Sequence, residues 1–165
     1  NLFYYHTLDD GIKIFSSPTL QIIKNIQSER FNKTSSVILL SLDANYIVFA
    51  YNKAITIISI STNTVINTIQ IYDEVTTMTC DSSSRYLFVG TLSGEVYQYI
   101  FTSNTKLSTL YKSTHNQINT IFSKDNKVFI GDKYGVACIV DIYTNQSQEF
   151  HLKSRKKAKS AYFLD

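Results

Sequence analysis

The side chains with which this chain could make or break bonds are few. They are His6, His115, His151, Cys80, Cys138 and the acidic pairs Asp9–Asp10 and Asp73–Glu74. Nucleophilic hydrolysis needs a nucleophile beside a base, and glycoside cleavage needs two facing carboxylates. The three histidines fall in different parts of the chain, and none stands near a Gly-x-Ser-x-Gly turn. Cys80 and Cys138 lie in apolar runs without Cys-x-x-Cys spacing, which reads as two buried thiols rather than a disulfide or a metal pair. Both acidic pairs occupy turn-like stretches, where Asp is common because its side chain caps backbone groups. With five glycines in the whole chain there is no material for a phosphate-binding loop. These residues predict no catalytic centre, no metal site and no cofactor.

One charged feature stands out. KSRKKAK holds Lys153, Arg155, Lys156, Lys157 and Lys159, five of the 16 basic residues, so residues 1–152 carry a net charge of −1 against +3 for the whole. The stretch is a candidate contact for nucleic acid, an acidic protein or anionic headgroups, or else a solvated loop. No aromatic residue interrupts it, which weakens the nucleic-acid reading.

The elements that would position these residues are strands. The chain is 44% hydrophobic and 18% charged, with 12 Tyr, 10 Phe and one proline, Pro18. That composition supports a packed core and favours strands over helices. No apolar run reaches the ~20 residues a membrane helix needs. The chain opens on Asn1 rather than Met, which reads as an N-terminal part removed.

The same pattern recurs about every forty residues. YIVFA ends at Ala50, YLFVG at Gly90 and KVFIG at Gly131, spacings of 40 and 41. A polar turn precedes each run. A second turn and a second apolar run follow each: AITIISI from Ala54, GEVYQYI from Gly94, GVACIVDI from Gly135. Opening runs (36–42, 74–80, 117–123) and closing runs (64–71, 105–111, 145–152) complete four strands per unit. Residues 1–28 form a unit without its opening strand, complete units span 33–71, 72–112 and 113–152, and 153–165 supply one opening strand without a successor. A four-stranded sheet with two apolar faces must be covered on both, and radial stacking does this. The expected fold is an all-β propeller with four-stranded antiparallel blades, about four blades' worth of strands.

Residues 114–141, THNQINTIFSKDNKVFIGDKYGVACIVD, resemble a WD40 repeat. Thr114–His115 stand at that family's Gly–His, FSKDNK at its strand-joining turn, Tyr134–Gly135 at Asp–Gly and Val140–Asp141 at Trp–Asp. The other units are more divergent. Ser93–Gly94 and Asp10–Gly11 keep the hairpin glycine, whereas Asn52–Lys53–Ala54 does not. The family's His–Asp–Ser–Trp network is incomplete: there is no Trp, and Tyr134 replaces the turn Asp. The resemblance with these departures implies blades held mainly by apolar packing, with weaker polar locking. His115 is expected to be a polar residue at a blade edge.

Family propellers usually close at seven blades, sometimes six or eight. Sixteen strands leave three possibilities open: part of a larger propeller, a tight four-bladed ring, or a ring completed by a second copy. The resemblance implies a non-enzymatic scaffold for protein–protein interaction. Its candidate partner-binding residues are Phe31, Tyr51, Tyr72, Leu92 and Tyr134, on the rim shared by the inter-unit links and the central hairpin turns. Loop 28–35 adds a further candidate contact. The alternatives are a propeller associated with nucleic acid or ribonucleoprotein through residues 153–159, and a bacterial accessory protein of the periplasmic nitrate reductase type.

Overall fold

A computed structural model describes residues 2–7, 11–16, 19–26, 37–41, 43, 45–51, 53–101, 103, 105–114 and 116–151. Within them the chain forms 15 strands and no helix. The first sheet has three strands in the order β1 (Leu2–Thr7), β2 (Gly11–Ser16), β3 (Ile22–Ile26). The second runs β4 (Val37–Leu40), β5 (Tyr46–Tyr51), β6 (Ala54–Ser59), β7 (Val65–Gln70). The third runs β8 (Val75–Cys80), β9 (Tyr86–Thr91), β10 (Glu95–Ile100), β11 (Lys106–Lys112). The fourth runs β12 (Ile118–Lys124), β13 (Lys127–Asp132), β14 (Val136–Asp141), β15 (Ser147–His151). Each sheet is a meander of neighbours paired antiparallel, as the repeat predicts. The sixteenth expected strand, in 153–165, lies outside the described residues.

Period-two alternation assigns each strand's side chains to two faces. In β5, Ile47 and Phe49 join Ile12, Ile14 and Ile26 of the first sheet, whereas Val48 and Ala50 join Leu87, Val89, Tyr97 and Tyr99 of the third. In β9, Phe88 turns the other way and meets Ile118, Val128, Ile130, Cys138 and Val140 of the fourth sheet. The sheets therefore stack in chain order through three apolar seams. Full burial of an aliphatic side chain contributes about 1.5–3 kcal/mol, so the seams, each with several such residues, dominate cohesion. Among the described residues no core cluster joins the first sheet to the fourth.

Polar ties cross the first and third seams, and an aromatic contact crosses the second. The Tyr4 hydroxyl donates to the Ile38 carbonyl at 2.9 Å, and Thr76 Oγ1 donates to the Ile118 carbonyl at 2.5 Å. The Tyr46 and Phe101 rings meet with centroids 5.4 Å apart. At Gly90, an added Cβ would lie 2.7 Å from Ile118 and 2.9 Å from Ile121 across the third seam, and 2.8 Å from Thr77 in its own sheet. Glycine stands there because the neighbouring sheet comes too close for anything larger.

The turns repeat as closely as the strands. In the last hairpin of three sheets, a left-handed residue donates its N–H back to the end of the preceding strand: Leu20 to Ser16, Asn63 to Ser59, Asn145 to Asp141, each at 2.9 Å. Asp125 and Asn126 both have positive φ between β12 and β13, the signature of a two-residue hairpin turn.

Candidate interaction rim

The described links between sheets and the turns joining the second and third strands of the four-stranded sheets lie side by side. Backbone hydrogen bonds fasten them: Leu92 N–H to Glu74 O and Lys133 N–H to Gln117 O, each 2.9 Å, and Ser113 N–H to Gly94 O, 2.9 Å. These turns and links make one rim, here the upper rim. The other turns make the lower rim.

Side chains fix the upper turns. Between the second and third sheets, Asp73 Oδ2 accepts the Ser93 N–H at 2.7 Å and Oδ1 accepts the Glu74 N–H at 2.8 Å. Partial burial pushes the Asp73 carboxyl up, but the hydrogen bonds from Ser93 and Glu74 outweigh it and hold the group below its ordinary range. In the third sheet, Thr91 Oγ1 accepts the Glu95 N–H at 3.1 Å. At the equivalent place in the fourth sheet stands Asp132, 1% exposed. Its Oδ1 accepts the N–H groups of Tyr134 and Val136, both at 2.9 Å. Its Oδ2 accepts Asn116 Nδ2 at 2.8 Å and Ser113 Oγ at 3.3 Å. The weak polar locking expected from Tyr134 at the turn-Asp position is thus corrected: a carboxylate two residues earlier ties the turn to the link. Gly94 and Gly135 supply the left-handed conformation these turns need, with φ of 93° and 92°.

Tyr72 is 96% exposed, Leu92 47% and Tyr134 61%, all at tips of the upper rim. Tyr51 differs: it ends β5, and its half-buried side chain packs against the seam between the first and second sheets. Its place in strand alternation, not the loop tip, decides its direction. Phe31, loop 28–35, His115 and the basic residues Lys153, Arg155, Lys156, Lys157 and Lys159 lie outside the described residues. Sequence reading passed over Asp132, because an Asp closing a strand reads as turn punctuation. It also passed over the neighbouring cluster in which Glu95 accepts the Tyr97 hydroxyl, pairs with Lys112 at 3.0 Å, and has Lys106 Nζ 3.6 Å from the Tyr97 ring centre. The Tyr97 hydroxyl and then Lys112 hold the Glu95 carboxyl below its ordinary range.

The bond-making residues that the structure describes are not brought together. Cys80 belongs to the seam between the second and third sheets and Cys138 to the seam between the third and fourth, so the third sheet separates them. Both are buried and in no disulfide, and burial, reinforced by Glu149, pushes the Cys138 thiol up to about 11. A thiol so raised stays protonated at neutral pH and is a poor nucleophile. His6 sits in β1 opposite Ile12, and His151 ends β15 opposite Val136. Among the described residues no group of three or more His, Cys, Asp or Glu could hold a metal ion, and no helix is long and apolar enough to cross a membrane.

No family model matches the chain, and no curated protein matches it. Solved structures do. All of this chain superposes on 50% of the computationally designed Ika8 protein, with a TM-score of 0.78 and 18% identity. It is similar over 82% of its length to 43% of the chain in the RRP9 WD40 repeat structure, with a TM-score of 0.70 and 14% identity. It is similar over 78% of its length to 79% of the designed Ika4 protein, with a TM-score of 0.68 and 20% identity. The chain spans about half the length of the Ika8 and RRP9 chains. The likeness establishes an all-β fold of propeller type, built of four-stranded antiparallel blades.

Proposed function

We propose that this chain is a non-catalytic interaction scaffold of WD40-like type, and that its partner protein docks on the upper rim. One observation carries the reading: Tyr72, Leu92 and Tyr134 project into solvent from turns that Asp73, Thr91 and Asp132 hold in place. Exposed aromatic and aliphatic side chains on rigid supports lose little freedom on binding, which is what an interface anchor requires. The thiols Cys80 and Cys138, buried in different seams, agree with a role without bond chemistry. The likeness to the RRP9 WD40 repeats supports the propeller frame and leaves the partner open.

The test uses a matched pair of positions. Tyr134 on the upper rim and Tyr143 on the lower rim are each 61% exposed. A photo-crosslinking residue is placed at one or the other, and adducts are collected from the native source. The reading expects a saturable protein adduct from position 134. Unlabelled parent protein should compete it away, and the Tyr72→Ala, Leu92→Ala, Tyr134→Ala triple variant should not. Equal adducts from both positions, or full competition by the triple variant, would reject the rim.

A further inference from the structure

The four most exposed tyrosines among the described residues differ in how far their hydroxyls and main chain are committed. Tyr4 is 36% exposed, and its hydroxyl donates to the Ile38 carbonyl. Tyr143 is 61% exposed, but its hydroxyl accepts the Arg85 guanidinium at 3.1 Å across the third seam. Tyr134 is 61% exposed, yet Asp132 binds its N–H and that of Val136, which pins the turn under the ring, and a lysine, Lys133, precedes it. Tyr72 is unlike all three. It is 96% exposed in the link between β7 and β8, and among the described residues neither its hydroxyl nor its N–H has a hydrogen-bond partner. Two acids follow it directly. Asp73 is half-buried and turned onto the Ser93 N–H, whereas Glu74 is exposed.

We propose that Tyr72 is a phosphorylation site for a tyrosine kinase whose substrate groove is basic. The acceptor ring must stand clear of its own fold to enter the kinase cleft, which its exposure and its uncommitted hydroxyl allow. Carboxylates beside the acceptor pair with the cations of such a groove, and charge patterns of this kind are how kinases choose substrates. The Tyr72 oxygen bonds to the γ-phosphorus of a nucleoside triphosphate, and the bond from that phosphorus to the bridging oxygen breaks. The nucleoside diphosphate leaves with the electron pair, and the hydroxyl proton passes to the kinase's carboxylate base. The phosphate brings about two negative charges beside Asp73. Like-charge repulsion then opposes the hold of Asp73 on the Ser93 N–H, so the link and the third sheet's upper turn loosen. The site stands on exposure and charge alone, whether or not the rim receives a partner.

The test treats the folded 165-residue chain with ATP, Mg²⁺ and the purified catalytic domain of a tyrosine kinase that prefers acidic flanks, and maps the label by peptide mass spectrometry. The proposal expects Tyr72 to be labelled about tenfold faster than Tyr134 or Tyr143. Glu74→Lys should slow that labelling several-fold with folding intact by circular dichroism, and Tyr72→Phe should remove most of the incorporated phosphate. In the labelled chain the Ser93 amide should exchange with solvent several-fold faster. Protein isolated from the native source with phosphatases blocked should carry phosphate on Tyr72. Label spread evenly over the three tyrosines overturns the proposal, as does a folded chain that refuses label at Tyr72 while the unfolded chain accepts it. Labelling that Glu74→Lys leaves unchanged, an unaltered Ser93 amide, or native protein without phosphate on Tyr72 overturns it too.

Discussion

The third and fourth sheets are built on one pattern and meet different surroundings. Phe88 and Gly90 in the third occupy the positions of Phe129 and Gly131 in the fourth, yet Phe88 is fully buried and Phe129 is half-buried. The repeat thus specifies a face suited to a neighbour at each sheet. What changes along the chain is how completely that face is covered. Cohesion in such an array is close to nearest-neighbour in kind, with each sheet steadied by the seams on its two sides.

The largest test of this contrast truncates the paired aromatics. Phe88→Ala should cost about 3–5 kcal/mol in chemical denaturation, the usual range for emptying a closed aromatic site. Phe129→Ala should cost about half as much, because part of its surface already meets water. Equal losses would erase the difference between inner seam and end face.

The upper turns of the same two sheets give the next test. Asp132→Ala should cost about 2–3 kcal/mol, since the N–H groups of Tyr134 and Val136 and the polar atoms of Ser113 and Asn116 lose a charged acceptor. Thr91→Ala, which removes a neutral acceptor at the equivalent turn, should cost about 1 kcal/mol. A reversed order would mean that Asp132 is not what locks the fourth sheet's turn.

The first sheet departs from the repeat at Leu20, which holds φ of 54° where the second and fourth sheets use Asn63 and Asn145. A left-handed Leu costs on the order of 1 kcal/mol, so Leu20→Asn should stabilise the chain by roughly that amount. Thermal unfolding would register it as a higher midpoint.

The smallest effect is in acid. Asp43, Asp73 and Glu95 are held below their ordinary ranges in the folded chain. Their stabilisation is complete above the unfolded values, near pH 4, and is lost as pH falls through the lower folded values. Asp73→Asn should flatten the stability–pH curve below pH 4 and leave its neutral limb parallel to the parent's.

Much of this was legible in the sequence, and the gaps have physical causes. The forty-residue period fixed the strands because alternation and turn residues act locally, so β5, β9 and β13 appear where YIVFA, YLFVG and KVFIG predict them. The tips Tyr72, Leu92 and Tyr134 were legible for the same reason. Tyr51 was not, because one position along a strand separates a rim residue from a seam residue. Asp132 escaped because its partners Ser113 and Asn116 come from the preceding link, a contact that no spacing within one turn reveals. The glycines at 90 and 131 look alike in sequence, and only the approach of Ile118 and Ile121 tells them apart.

The sheets stack face to face in chain order, and the third seam is where that contact can be measured. A double-mutant cycle of Gly90→Ala and Ile118→Ala, followed by equilibrium unfolding, measures contact between the third and fourth sheets. The added methyl should be costly beside Ile118 and less so once that side chain is trimmed, although Thr77 and Ile121 stay close, with a coupling of about 1 kcal/mol or more between the two changes. Additivity within about 0.5 kcal/mol would mean that Gly90 and Ile118 do not meet, and the stacked arrangement would be wrong.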